Sequence, residues 1–198
     1  MSKLLQDQYS LLLQTEKEFA TRVVYLMRAY TPQPWWHLFI PFKFLMEYFS
    51  LRKERREFIE KHLLFKRMAL DAAFRAVESG EPEKNRQEMH NQLREFWLRN
   101  QQFESRQLND RLEKMIDLLF DHYLRLIRTG ERDYSLMVRQ AYRVKADYQN
   151  FLDEMARVEA EIDRAVAEAL GLKWPDFYMQ NKQKAIREVR SREVRETF

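Results

Sequence analysis

This chain has no cysteine, and it contains only three glycines and five prolines among 198 residues. Without cysteine, disulfides, thiolate catalysis and thiolate-ligated metal centres are excluded. Three scattered glycines cannot supply the converging backbone N–H groups of a phosphate-binding loop. The N-terminal stretch holds only short apolar runs interrupted by charges, so a secretory signal is not expected either. We therefore predict a cytoplasmic protein, or one that is peripheral on the inner face of a membrane.

A dominant charge of one sign is also lacking. The chain has 35 basic and 31 acidic residues, which leaves a net charge of +4. Such balanced populations are typical of helix surfaces with i,i+4 ion pairs. Where basic residues cluster, glutamates alternate with them and would oppose a phosphate backbone. We therefore predict no nucleic-acid partner, and nucleic-acid binding ranks only among the minor alternatives.

The few glycines and prolines mark four breaks, at 32–41, 80–82, 130 and 171–175. Between these breaks strong helix formers predominate, and the glycines stand where helix C-caps are expected. The predicted fold class is all-α: an elongated bundle of about four long helices, with an antiparallel coiled-coil hairpin and a short C-terminal helix. The predicted domain is 1–173, with helices at about 2–30, 41–79, 83–128 and 133–170, followed by a basic amphipathic helix or tail at 174–198.

Heptad spacing of apolar residues marks the helix faces that pack. In the first helix, Leu12 and Phe19 belong to a series that recurs every seven residues. The fourth helix has the longest pattern, with two such series offset by three positions. These series are Tyr134, Ala141, Tyr148, Met155, Ile162 and Ala169, and Met137, Val144, Phe151, Val158 and Ala165. The short turn at Gly130 predicts that the third and fourth helices form an antiparallel hairpin.

No motif for catalysis or metal binding is recognisable. None of the four histidines follows a glutamate by three positions, as in di-iron bundles, and no zinc-binding helix occurs. His62, near Arg67 and Asp71, is the best catalytic candidate, but a half-buried bundle histidine is the better interpretation. A bundle enzyme whose metal is held by carboxylates alone ranks as a further minor alternative. We predict a protein that is not an enzyme and has no metal, cofactor or small-molecule substrate.

The segment Trp35–Phe49, here called the aromatic segment, stands apart because seven of its fifteen residues are aromatic. A four-helix core has room for one apolar stripe per helix, and these rings point in too many directions for one stripe. The predicted interaction residues are Trp35, Trp36, Phe39, Phe42, Phe44, Met46, Tyr48 and Phe49. A basic flank follows, made of Arg52, Lys53, Arg55 and Arg56.

Three interpretations of the aromatic segment are open. Its rings can close one end of the bundle core. They can lie in a bilayer interface, where Trp and Tyr are favoured and basic residues meet anionic headgroups. They can also contact a protein, because interfaces are enriched in aromatic residues, Met and Arg. The segment is too short and too polar to span a bilayer, since it includes Pro41, Lys43 and Glu47.

These patterns favour a non-enzymatic helical adaptor or accessory subunit. It would dock through the aromatic segment to a membrane surface or to a membrane-bound protein complex. A protein partner is expected, either a second copy of the chain or a larger complex. The main alternative is a soluble, self-associating coiled-coil scaffold.

Overall fold

The computed structural model describes residues 3–30, 41–99, 106–169 and 176–198. Side chains are described at 3–30, 56–60, 62–96, 107–168 and 179–198. This part of the chain forms helices and no strands, which confirms the all-α prediction. The helices are α1 Lys3–Ala29, α2 Pro41–Ser79, α3 Pro82–Arg99, α4 Arg106–Arg128, α5 Tyr134–Tyr142, α6 Lys145–Ala169 and α7 Asp176–Thr197.

Five of these helices form a closed ring. Helix α1 packs against α2, α2 against α4, α4 against α6, and α6 against α7. Helix α7 packs against α1 and closes the ring. Helix α3 lies outside the ring against α2 and α4, and the short α5 contacts α1, α4, α6 and α7. The ring places one face of every long helix, α3 excepted, toward a shared interior.

The core combines small residues on α2 with large ones on α4. Ala69 and Ala73 of α2 are fully buried, so the backbones of α2 and α4 can approach closely. On α4, Ile116 and Phe120 are also fully buried. In α1 the predicted seam residues Leu12 and Phe19 are buried, which confirms the packing face read from their spacing.

Two predicted helix ends are confirmed by the backbone. Gly80 has φ +73° and Gly130 has φ +75°, the left-handed conformation that glycine adopts after a helix. Asp133 then caps α5, because its side chain accepts a hydrogen bond from the Leu136 backbone N–H at 3.0 Å. The hairpin prediction also holds, since Lys114 of α4 reaches Glu154 of α6 across an antiparallel pair.

The predicted single helix at 83–128 is wrong. Arg86 of α3 lies 3.1 Å from Asp117 of α4 and 2.5 Å from Asp121. In one straight helix these positions would be separated by ~45 Å. Helices α3 and α4 are therefore antiparallel neighbours, and 100–105 between them lies outside the described residues.

The predicted single helix at 133–170 is also divided. Arg143 ends α5 with φ +56°, and α6 begins at Lys145. The seven-residue spacing of the two heptad series therefore continues through the sequence, although the helix itself is interrupted between α5 and α6. Val144, predicted to lie in the seam, is 54% exposed because it sits at this corner.

Helix α7 lies in the region predicted as a basic amphipathic tail. Its apolar side, formed by Ala185, Ile186, Val189 and Val194, is buried. Tyr30, at the end of α1, donates a hydrogen bond to Glu188 of α7. Among the described residues, no helix combines the length and the apolarity that crossing a membrane requires.

Candidate functional site

The structure does not position most of the predicted interaction residues. Trp35, Trp36 and Phe39 lie outside the described residues. Five further residues predicted to interact, Phe42, Phe44, Met46, Tyr48 and Phe49, belong to α2, as do Arg52, Lys53 and Arg55 of the basic flank, but their side chains lie outside the described part. Arg56 alone can be located: it is 80% exposed and lies 3.6 Å from Glu60.

A second candidate site, which sequence analysis misses, occupies the interior of the helical ring. Every ring helix contributes at least one polar side chain to it, and α5 adds one more. We call this set the polar cluster. It consists of Glu16 from α1, Lys66 from α2, His122 and Tyr123 from α4, Tyr134 from α5, Tyr148 from α6, and Arg190 and Glu193 from α7.

The first part of the polar cluster is an ion pair with a third partner. Lys66 Nζ donates to Glu16 Oε2 at 2.6 Å, and these side chains are 10% and 16% exposed. Tyr123 donates to the other carboxylate oxygen at 2.7 Å. The Lys66 ammonium also lies 4.7 Å from the centre of the Phe19 ring. Both oxygens of Glu16 are therefore engaged by groups from two other helices.

The second part links three helices through one carboxylate oxygen. Glu193 Oε1 accepts a hydrogen bond from the Tyr134 hydroxyl at 2.7 Å and another from Tyr148. The two hydroxyls lie 3.2 Å from each other. Tyr134 and Tyr148 stand at predicted core positions of the heptad pattern, so their rings pack while their hydroxyls converge on α7.

The third part is a buried ion pair between α7 and α6. Arg190 donates to both carboxylate oxygens of Glu159, at 3.0 and 2.9 Å, and both side chains are largely buried. Nearby, the His122 ring stacks on Phe151 with centroids 4.3 Å apart. Its Nδ1 is hydrogen-bonded to the Tyr142 hydroxyl at 2.7 Å.

Burial and pairing shift the pKa values of this cluster in opposite directions. Burial lowers the pKa of His122 to about 3, so the imidazole is neutral near pH 7. Burial also raises the pKa of Tyr123 and Tyr148, which stay protonated as donors. For Glu16, burial acts to raise the pKa, but the charge and hydrogen bond of Lys66 outweigh it and the pKa is lowered.

A cavity of about 40 Å³ lies at the centre of the polar cluster. It has room for a water molecule but not for an organic substrate. The cluster's polar groups already have partners, either other members or, for His122 and Arg190, the neighbouring Tyr142 and Glu159. Within the described residues, no group of three or more His, Asp or Glu side chains is arranged to hold a metal ion. The geometry therefore suits cross-linking of helices better than chemistry on a bound molecule.

Little in the sequence marks this cluster. Glu16 and Lys66 are residue types that are almost always exposed, and Glu16 sits within a polar stretch of its helix. The only usable signal was tyrosine at two core positions, Tyr134 and Tyr148, because a buried hydroxyl needs a partner. That signal predicts polar contacts in the interior without saying which residues make them.

The fold and the cluster together define a class: a closed ring of α-helices with a polar, internally paired interior. Comparison of the chain with protein-family models, with curated proteins and with solved structures gave no match.

Proposed function

We propose that this protein is a non-enzymatic helical adaptor that docks through the aromatic segment, Trp35–Phe49, to a membrane surface or to a membrane-bound protein complex. The helical ring serves as its rigid body, and the polar cluster fixes the order of the helices. The aromatic segment and its basic flank supply the contact.

The observation that carries this proposal is the register between α1 and α2. Tyr9 is hydrogen-bonded to Asp71, Glu16 to Lys66, and the Phe19 ring stacks on His62. In this antiparallel pairing, the last residue of α1, Ala29, falls opposite about residue 52 of α2. Because α2 begins at Pro41, roughly its first ten residues have no α1 residue beside them.

The neighbouring part of α2 supports the same conclusion. Arg56 and Glu60 are 80% and 69% exposed, whereas Leu70 and Ala73, further along the helix, are fully buried. Among the described side chains of α2, contact with the core begins at Phe58, which packs beside Phe19 and Val23. Aromatic residues in its first turns would need a partner other than α1, and a bilayer interface or a protein surface supplies one.

Vesicle flotation tests the bilayer form of the proposal. A Trp35→Ser/Trp36→Ser/Phe39→Ser variant should float with vesicles less than the wild-type protein does at low salt. Leu64→Ser serves as the matched control, because it removes an exposed apolar side chain, 42% accessible, from the second half of α2. If wild type and triple variant both stay in the soluble fraction, the bilayer is not the target.

Purification of the untagged protein with its partners tests the other form. The triple variant should lose a membrane-bound partner that the wild-type protein and the Leu64→Ser control both retain. Light scattering separates this outcome from the scaffold alternative. A wild-type dimer that becomes a monomer in the triple variant, together with no co-purifying partner, would favour self-association. A strictly monomeric wild-type protein that binds neither vesicles nor partner would refute the adaptor proposal.

A further inference from the structure

The end of the bundle formed by the last turn of α4, the Gly130 turn and α5 carries an excess of positive charge. We call its six basic residues the cationic end surface; they are Arg125, Arg128, Arg132, Arg139, Arg143 and Lys145. All six are exposed, and none forms an ion pair within the part of the chain that the structure describes.

The acidic residues of this stretch are too few to neutralise these charges, since 125–147 holds three carboxylates, Glu131, Asp133 and Asp147, against six cations. Asp133 caps α5 by accepting from Leu136 N–H at 3.0 Å, and Glu131 accepts from the Gln140 side chain. The next acidic residue, Asp147, lies in the first turn of α6, where a carboxylate interacts with that helix's own N-terminus. The net charge of the surface is therefore positive although the whole chain is nearly balanced.

Contacts hold the surface together as one patch. The Arg125 guanidinium lies 5.8 Å from the centre of the Tyr142 ring, which brings the end of α4 to the end of α5. Arg139 donates to the Thr197 backbone oxygen, which ties α5 to the end of α7. The bond from Gln140 to Glu131 closes the turn against α5. Basic side chains from three successive elements thus share one end of the molecule.

Two aliphatic side chains are exposed among these charges. Leu136 is 46% exposed on α5, and Val144 is 54% exposed at the corner between α5 and α6. The larger grooves of the described surface lie elsewhere, along α1 and α2 and between α6 and α7. Aliphatic tips between arginines match a flat and anionic surface.

Arg143 adds a separate indication. Its φ of +56° is a strained backbone conformation that glycine adopts far more readily than arginine. The Arg143 side chain is exposed and makes no ion pair in the described structure, so packing does not account for an arginine there. A charged side chain held at a strained and exposed corner points to a contact made outside the chain.

We propose that the cationic end surface binds the anionic surface of a lipid bilayer. Arginine and lysine side chains gain from anionic headgroups, and Leu136 and Val144 can enter the headgroup layer. A nucleic acid is disfavoured because its phosphates gain nothing from aliphatic tips, and no exposed ring of this patch is available for base stacking. This inference goes beyond the adaptor proposal, since the surface lies at the opposite end of α1 from the first turns of α2: Gln8 bonds to the Ile127 and Glu131 oxygens.

Sedimentation with phosphatidylglycerol vesicles and with neutral phosphatidylcholine vesicles tests the proposal on the full chain. The charge variant is Arg128→Gln/Arg132→Gln/Arg143→Gly, which spares the two arginines that contact Tyr142 and Thr197. Its control is Arg22→Gln/Arg94→Gln/Arg164→Gln, three exposed arginines elsewhere with the same loss of charge. Far-ultraviolet circular dichroism confirms that each variant is folded.

The wild-type protein should bind the anionic vesicles much more tightly than the neutral ones. The charge variant should bind on the order of a hundredfold more weakly, at about fivefold per lost cation, and the control should be nearly unchanged. Leu136→Ser/Val144→Ser should weaken binding severalfold without altering its salt dependence.

Three results would overturn the proposal. One is the absence of wild-type binding to anionic vesicles at low salt. Another is equal weakening by the charge variant and its control, which would mean that only net charge matters. The third is binding of the wild-type protein to duplex DNA that is tighter than its binding to anionic vesicles and that is unchanged in the Leu136→Ser/Val144→Ser variant. The Trp35/Trp36/Phe39 variant, run in parallel, shows separately whether the adaptor proposal fails.

Discussion

The Lys66 ammonium lies 2.6 Å from a carboxylate oxygen of Glu16 and 4.7 Å from the Phe19 ring, in a part of the ring interior where both charges are largely buried. Taking two charges out of water is costly, and only close pairing with further hydrogen bonds offsets that cost. Tyr123 supplies such a bond to Glu16. This pair therefore fixes α1 against α2 and α4 at one defined register.

Removing the cation of this pair should destabilise the protein strongly. Lys66→Met leaves the Glu16 carboxylate buried with only the Tyr123 hydroxyl as partner. We expect a loss of about 3–5 kcal/mol in the free energy of unfolding. The double variant Lys66→Met/Glu16→Gln should recover part of this loss, because no buried charge remains and the amide can still accept from Tyr123. Urea unfolding followed by circular dichroism measures both.

The Arg56–Glu60 pair is a matched control for this experiment. It also lies on α2, but its side chains are 80% and 69% exposed and 3.6 Å apart. Arg56→Met should change the free energy of unfolding by less than about 1 kcal/mol. Equal losses for Lys66→Met and Arg56→Met would contradict the structural role assigned to the buried pair.

The sequence was sufficient for the fold class and for several packing faces. Leu12 and Phe19 on α1, and Met155 and Val158 on α6, are buried as their seven-residue spacing predicts. Helix periodicity depends only on local geometry, so it can be read without knowing the neighbouring helix. Gly80 ended a helix as predicted for the same reason, since left-handed backbone is a local property.

Other features were beyond local reasoning. The corner at Arg143 gave no signal, because arginine rarely takes a positive φ and nothing in the residue type marks a helix end. The burial of Glu16 and Lys66 depends on α1 and α2 meeting α4, and such a juxtaposition of distant segments is set by the whole fold. The aromatic segment was found by its composition, but its contacts are not fixed by the sequence pattern.

Acid should destabilise the protein through its buried histidines. Burial lowers the pKa of His122 to about 3 and also lowers the pKa of His62, whereas an unfolded histidine titrates near 6.5. Between these values the unfolded chain binds more protons than the folded chain, so stability falls as the pH falls. We expect His122 to contribute a slope of about 1.4 kcal/mol per pH unit between pH 6 and pH 5, with a contribution of the same sign from His62, measured by urea unfolding.

Replacement of His122 isolates its share of that slope. His122→Gln should reduce the slope between pH 6 and pH 5 by about 1.4 kcal/mol per pH unit, because one titrating group is lost. Phe151→Leu is the control: it removes the ring that stacks on His122, with centroids 4.3 Å apart, and should lower stability without changing the slope. An unchanged slope in His122→Gln would mean that this imidazole is not held neutral.

Arg86 should be the main polar attachment of helix α3 to α4, beside the shorter reach of His90, whose Nε2 lies 2.8 Å from Asp117. Arg86 pairs with Asp117 and Asp121, and its guanidinium lies 4.6 Å from the centre of the Phe120 ring. Arg86→Met should cost about 1–3 kcal/mol and should increase hydrogen exchange in α3 more than in α6. Lys84→Met, which breaks the exposed pair with Glu81 on the same helix, should leave exchange in α3 nearly unchanged.

Gly130 and Arg143 both have positive φ, so substitutions there should change the free energy of unfolding in opposite directions: adding a side chain at Gly130 should lower it, and removing the side chain at Arg143 should not. At Gly130, φ is +75° and an added methyl group would meet no atom within 4 Å, so Gly130→Ala costs only backbone strain, about 1 kcal/mol. At Arg143, with φ +56°, glycine relieves comparable strain in the folded state. The greater backbone freedom of glycine in the unfolded chain offsets part of this gain. Arg143→Gly should therefore leave stability unchanged or raise it by roughly 0.5 kcal/mol, as measured by urea unfolding of both variants. A marked loss of stability in Arg143→Gly would show that its side chain serves the fold, and would remove one support for its role in binding an anionic surface.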